Sequence, residues 1–282
     1  MWFWMRPLKS ALPRYFYSAC SKICSNLLRL ISGWPPSRGK LMPHSKDLEK
    51  ATKILEIIDI NLRHALKLKE YFSRAAYQDD VRAHFDNSKA APGYSQVLDS
   101  IYFELIMTIV RMYDDLSDDK HGKNTASLPR LVQILSQADV LADLQARSIE
   151  GQTPRGKLEK QLQRQDKDFL ERLRKKAIES AQADLTTLSR LLKDFEKIKG
   201  CHQLARLRSV RHQLFAHTAI VRNPNNPARY GDAEALLEKT KALVSGLNSV
   251  VKRLHCSYTD HIDIWQDHAD HFWKRASGQN NE

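Results

Sequence analysis

The chain has little of what builds the commonest enzyme sites. Only four cysteines occur in 282 residues, at Cys20, Cys24, Cys201 and Cys256. Their scatter gives no zinc-ribbon pair and makes a reducing cytoplasm the expected location. No Gly-rich phosphate loop and no Gly-x-Ser-x-Gly elbow is present, so the sequence offers neither of those routes to nucleotide binding or serine hydrolysis. Long apolar runs are missing too. Arg6, Lys9, Arg14, Lys22 and Arg29 interrupt every candidate for the roughly 20 apolar residues that span a bilayer, and no integral membrane segment is expected. Internal repeats and low-complexity tracts are also absent.

Acids are missing from one end. No Asp or Glu precedes Asp47, whereas Arg6, Lys9, Arg14, Lys22, Arg29, Arg38 and Lys40 all do. A net charge of +12 suggests an acidic partner such as nucleic acid, but without those seven cations it falls to +5 and the body is only mildly basic. Residues 1–44 therefore read as a basic, aromatic-rich arm separate from the domain. A targeting presequence or a membrane-surface helix would share this composition, as would a disordered arm or a misassigned start upstream of Met42.

The ten glycines and ten prolines cluster at a few places and leave long uninterrupted stretches, which predicts an all-α fold. Leu48, Ile54, Ile57, Ile58, Leu62, Leu66 and Tyr71 recur at helical spacing, so Ser45–Tyr77 reads as a helix capped by Ser45. Asp79–Ser95, with Pro92-Gly93, reads as a connection with at most a short helical turn. Leu98–Leu116 is apolar almost all round and belongs at the centre of the core. Ser127–Glu150 and Lys157–Lys199, broken at Gly151–Gly156, form a long charged hairpin whose second arm bends at most once. Cys201–Val221 is a helix stopped by Asn223-Pro224-Asn225-Asn226-Pro227. Tyr230–Ala276 is mostly helical, with a bend near Cys256-Ser257. The domain expected is 45–276, with its hairpin elaboration at 127–199.

The chemistry-bearing residues lie in Arg211-His212-Gln213-Leu214-Phe215-Ala216-His217. A fixed guanidinium can hold a phosphate and an imidazole can move a proton near neutral pH, the minimum equipment for metal-free cleavage of a phosphodiester. On one ideal helix, however, Arg211 and His217 lie about 120° apart around the axis and about 9 Å apart along it. His217 falls on the stripe of Leu204, Leu207, Val210, Leu214 and Val221. By residue type alone it reads rather as a core histidine, with Arg211 paired to a carboxylate.

Two acid clusters invite a metal reading. Asp114 and Asp115 end a helix among further acids, where side chains are ordinarily solvated. Asp260, Asp263, Asp267 and Asp270, beside His261, His268 and His271, could offer oxygen and imidazole ligands. A neighbouring apolar stripe of Ile262, Trp265, Ala269 and Phe272 favours an amphipathic helix with a wet acidic face instead. No metal or other cofactor is expected.

The Arg211-to-His217 spacing, with polar His212 after the arginine, resembles the Arg-x(4–6)-His signature of the HEPN superfamily. An apolar helix ending in Arg111-Met112-Tyr113-Asp114, then Ser127-Leu128, a long charged helix and the late motif helix, is similar to the abortive-infection U-type branch of that superfamily over roughly Ser45 to Trp273. The resemblance implies a HEPN-type helical bundle in which the motif helices of two protomers face each other across a two-fold interface, so that the cleft draws on both chains. It implies a metal-independent endoribonuclease of defence or toxin type. His217 would act as general acid or base, Arg211 would neutralise the phosphate and His212 would orient or assist. Arg208 and Arg222 would extend the cationic track for RNA. A homodimer and an antitoxin or inhibitory partner are implied with it. A non-catalytic HEPN module binding RNA or protein is the alternative.

Overall fold

The computed structural model describes residues 45–86, 88–114, 126–154, 156–212 and 229–278. The arm 1–44 lies outside the described residues, as does the stretch 213–228. Every regular element among the described residues is helical, in accord with the all-α expectation.

Helix α1 (Lys46–Tyr77) begins where expected because Ser45 Oγ accepts from the Leu48 amide at 3.2 Å, with Asp47 and Glu49 in its first turn. The Ser45 amide is itself held by the Asp143 carboxylate at 2.7 Å, which ties the helix start to the later hairpin. Leu48, Leu55, Ile58, Leu62 and Leu66 form its fully buried stripe. Against that stripe pack α3 (Ala91–Met112), α9 (Tyr230–Leu247) and α10 (Thr259–Ala276), and α8 (His202–Arg211) packs on α3 and α9. The helices expected to start at Ser45, Cys201 and Tyr230, and the apolar one expected at the centre of the core, all meet in the bundle.

Two expectations fail near the start of α3. The segment expected as a connection forms α2 (Asp79–Asp86), and α3 begins at Ala91 rather than Leu98, taking in Pro92 and Gly93. Pro92 lies in the first turn, where its missing N–H removes no helical bond. Tertiary packing supplies the rest. Tyr94 donates to the Ala75 carbonyl at 2.6 Å, its ring stacks on Phe85 at 4.4 Å, and Trp273 meets it edge-on at 5.6 Å.

The same contacts correct the expected stripe on α10. Trp273 is buried and donates to the Tyr71 carbonyl at 2.9 Å, whereas Phe272 is turned outward and left exposed. One residue's shift in phase follows from the place the Phe85–Tyr94 pair leaves for an indole.

The hairpin has one break beyond the single bend expected of its second arm. Its first part divides into α4 (Leu128–Leu135) and α5 (Ala138–Gln152) at Ser136-Gln137. The second divides into α6 (Gly156–Gln165) and α7 (Lys167–Lys199) at Asp166, whose carboxylate caps the Phe169 amide at 2.8 Å. Ala177, Ala181, Leu185 and Leu188 form the buried stripe of α7, which packs along α5.

Helix α9 passes into a π-helical turn at Asn248–Lys252, and Arg253 ends it in the left-handed conformation at φ 56°. That conformation costs about 1–3 kcal/mol for a non-glycine residue. Arg253 is held in it by a side chain that donates to the Ser148 carbonyl at 3.0 Å. The helix therefore stops before the bend expected at Cys256-Ser257. Asp59 of α1 then gathers the ends: it accepts from Tyr258, from Asn248 Nδ2 at 3.3 Å and from Arg63 Nε at 3.0 Å. Burial, reinforced by the Asp59 hydrogen bond, holds the Tyr258 phenol protonated.

α7 and α9 pack tightly at Gly246, where an added Cβ would lie 2.7 Å from Leu191 Cδ2 and 3.0 Å from Cδ1. Gly246→Ala should therefore destabilise the fold by about 1–2 kcal/mol despite alanine's better helix propensity. Urea unfolding checks this: the midpoint should fall, and adding Leu191→Ala should cost less in the Gly246→Ala chain than in the native one.

Candidate functional site

The site is built around the C-terminal end of α3. Tyr113 is fully buried, its ring lying parallel to Phe195 at 6.4 Å between centroids. Its hydroxyl lies 2.6 Å from Thr240 Oγ1, and Thr240 gives its own proton to the Leu236 carbonyl at 2.7 Å. Tyr113 is therefore the donor. Burial pushes its phenol far above the ordinary tyrosine value, against the smaller opposing effect of the Thr240 hydrogen bond. A protonated anchor of this kind fixes the last turn of α3 against α9 and α7.

The carbonyls at a helix C-terminus lack intrahelical donors and carry the negative end of the helix dipole. Here α8 supplies the cations. Arg208 Nη2 donates to the Tyr113 carbonyl, and Arg211 Nη1 donates to Asp114 Oδ1 one residue further on. The two arginines are three residues apart and so share a helix flank. Arg206, on another flank, pairs with the buried Asp232, which also accepts from the Arg229 amide at 2.9 Å and caps α9. Leu204 and Leu207 are fully buried, as the apolar stripe predicts, and Arg208 and Arg211 lie one to two turns along the same side of α8.

Of the sequence-predicted residues, Arg211 is half-buried at the end of α8 and His212 is exposed directly after it. Arg208 lies on the Tyr113 carbonyl rather than in an open track. His217 and Arg222 lie outside the described residues. Asp114 was expected to be a solvated acid and instead holds Arg211. The signal that could have found it is the Arg-x-Tyr-Asp helix end: a buried tyrosine at that point aims the next carboxylate at whatever packs on the helix terminus.

Of the C-terminal acids, Asp260, Asp263 and Asp267 are exposed, and Asp270 is engaged. Asp270 bridges Arg74 and Lys274, the latter at 2.6 Å, and His261 lies 3.2 Å from Arg63 Nη1 and stacks on Trp265. Among the described residues no group of three His, Cys, Asp or Glu side chains is arranged to hold a metal ion. None of the described helices is long and apolar enough to cross a membrane.

In this helical bundle α8, which carries Arg211, packs on α3 and α9. The family model for AbiU2, a HEPN group, matches residues 45–272. The chain belongs to the AbiU2 family of HEPN proteins. No curated protein matches it significantly, and no solved structure does. The match begins at the cap of α1 and ends within α10, one residue before Trp273, so it takes in nearly all of the core and the hairpin of this HEPN protein.

The Arg206–Asp232 pair has a pH signature. Burial alone would raise the Asp232 carboxyl, but the Arg206 hydrogen bond and the Arg229 amide outweigh it and leave the group below the ordinary value of 3.8. A folded-state pKa below the unfolded one adds stability above 3.8, and that stability is lost as pH falls through the folded value. Asp232→Asn should therefore cost about 1.5–3 kcal/mol near neutral pH, the usual range for a hydrogen bond to a charged group. Chemical denaturation across pH should show the two proteins converging as the pH drops below 3.8.

Proposed function

We propose that this protein is a metal-independent endoribonuclease of defence or toxin type, acting in the cytoplasm as a homodimer. The observation that carries the reading is Arg211, half-exposed at the end of α8 with His212 beside it, in a chain of the AbiU2 HEPN family. In the proposed reaction the RNA 2′-hydroxyl attacks the adjacent phosphorus while its proton passes to a base. The P–O5′ bond breaks and O5′ receives a proton, leaving a 2′,3′-cyclic phosphate and a 5′-hydroxyl. Arg211 neutralises the phosphate as charge builds on it, His217 handles the proton, and His212 orients or assists. Arg208 and Arg222 would contribute backbone contacts. An antitoxin or other inhibitory partner would restrain the activity. The alternative is a non-catalytic HEPN module that binds RNA or protein at the same surface.

Incubating the purified protein with total RNA in EDTA separates the two readings. New termini bearing 2′,3′-cyclic phosphate are expected; intact RNA retained in a mobility shift would instead mark a binding module. His217→Ala should abolish cleavage and relieve any growth arrest on expression. Arg211→Ala should do nearly the same, and Arg211→Lys should rescue only in part, because an ammonium lacks the guanidinium fork.

On an ideal helix Arg211 and His217 would fall on different flanks, so the proposed cleft draws on two chains. Mixing Arg211→Ala protomers with His217→Ala protomers should partly restore cleavage. A strictly monomeric protein, by solution mass, that cuts RNA at full rate would exclude the shared cleft.

A further inference from the structure

Arg211 does not end in free solution. Its Nη1 is held by Asp114 Oδ1, and the two side chains are 34% and 33% exposed. Among the described residues the hydrogen bonding of the Arg211 side chain runs through Nη1 alone. Nη1 lies on the side of the guanidinium nearest Cδ. The opposite edge carries Nε–H and one Nη2–H, two parallel donors at the spacing of two phosphate oxygens. The backbone that carries this carboxylate is itself fixed. It follows directly on Tyr113, whose ring and hydroxyl are buried against Phe195 and Thr240, and Arg208 pins the carbonyl between them.

We infer that Asp114 is a positioning residue of the site: it orients the Arg211 guanidinium so that the Nε–Nη2 edge meets the scissile phosphate of RNA as a fork. This rests on the ribonuclease reading of Arg211. An anion placed beside a phosphate site is a poor device for raising affinity, since it cancels part of the attraction of Arg211 for the backbone. It is a good device for fixing geometry, because an unpaired arginine on a helix end samples many rotamers and presents the fork only part of the time.

The two effects of Asp114 therefore have opposite signs, and they can be separated. The test measures single-turnover cleavage of a short RNA, and the dissociation constant of the same oligonucleotide with 2′-deoxyribose at the cleaved position. Asp114→Ala should slow cleavage by on the order of ten- to a hundredfold while the deoxy analogue binds as tightly as to wild type or up to a few-fold tighter. Asp114→Asn keeps a carbonyl oxygen that can accept from Nη1, so its rate should lie between the two. In an Arg211→Lys background, where there is no fork to orient, Asp114→Ala should change the rate by less than about twofold.

Cleavage at the wild-type rate by Asp114→Ala would overturn the positioning role and leave the ribonuclease intact. Loss of rate matched by an equal loss of affinity would also overturn it, because that pattern marks general damage to the surface. Should Asp114→Ala not fold, Asp114→Asn carries the test by the same split between rate and affinity. A wild-type protein that leaves RNA uncut would remove the ribonuclease reading, and the role of Asp114 with it.

Discussion

Burying a phenol is costly unless its hydroxyl finds a partner, and at the end of α3 that requirement constrains everything around it. Tyr113 can be satisfied only where Thr240 of α9 waits with an acceptor lone pair, and Thr240 is available because its own proton goes to Leu236 one turn back. The terminus of α3 is thereby registered against α9, and the parallel contact with Phe195 sets it against α7. A helix end fixed on two sides presents its orphan carbonyl and the following carboxylate in one direction. α8 packs there with arginines at the matching spacing. The site is thus a consequence of where a tyrosine can be buried, and its cations are placed by a helix terminus as much as by their own helix.

Much of this was legible in the sequence, and the parts that were not share a cause. The α1 stripe, the Ser45 cap and the central place of α3 follow from local periodicity and capping, which a single strand of text contains. The early start of α3 does not, because Pro92-Gly93 reads as a break until Tyr94 has Phe85, Ala75 and Trp273 to hold it. The same cluster explains why Trp273, and not Phe272, faces inward. The place of the division at Asp166 was not legible, because the charged run around it holds no glycine or proline and the cap forms only once its carboxylate meets the Phe169 amide. At the site, Arg211 and His212 were legible as a motif, whereas Asp114 was read as solvated. Its partner lies 97 positions away, and no local pattern reports a contact of that separation.

The charge pattern of α8 bears on how such a surface could recognise a polyanion. Its three arginines in the described stretch each meet an acceptor: Arg206 a buried carboxylate, Arg208 a helix carbonyl and Arg211 a half-exposed carboxylate. A surface that bound nucleic acid by charge alone would leave its cations unmatched, since affinity then grows with the number of phosphates neutralised and counterions released. Matching them lowers that attraction and lowers the conformational entropy still to be lost, because a long side chain already held in one rotamer has less to give up on binding. The arrangement on α8 favours few contacts of defined direction over many of weak direction. Chemistry at one phosphate has that need, because a transition state is stabilised by donors already aimed at where its charge will form.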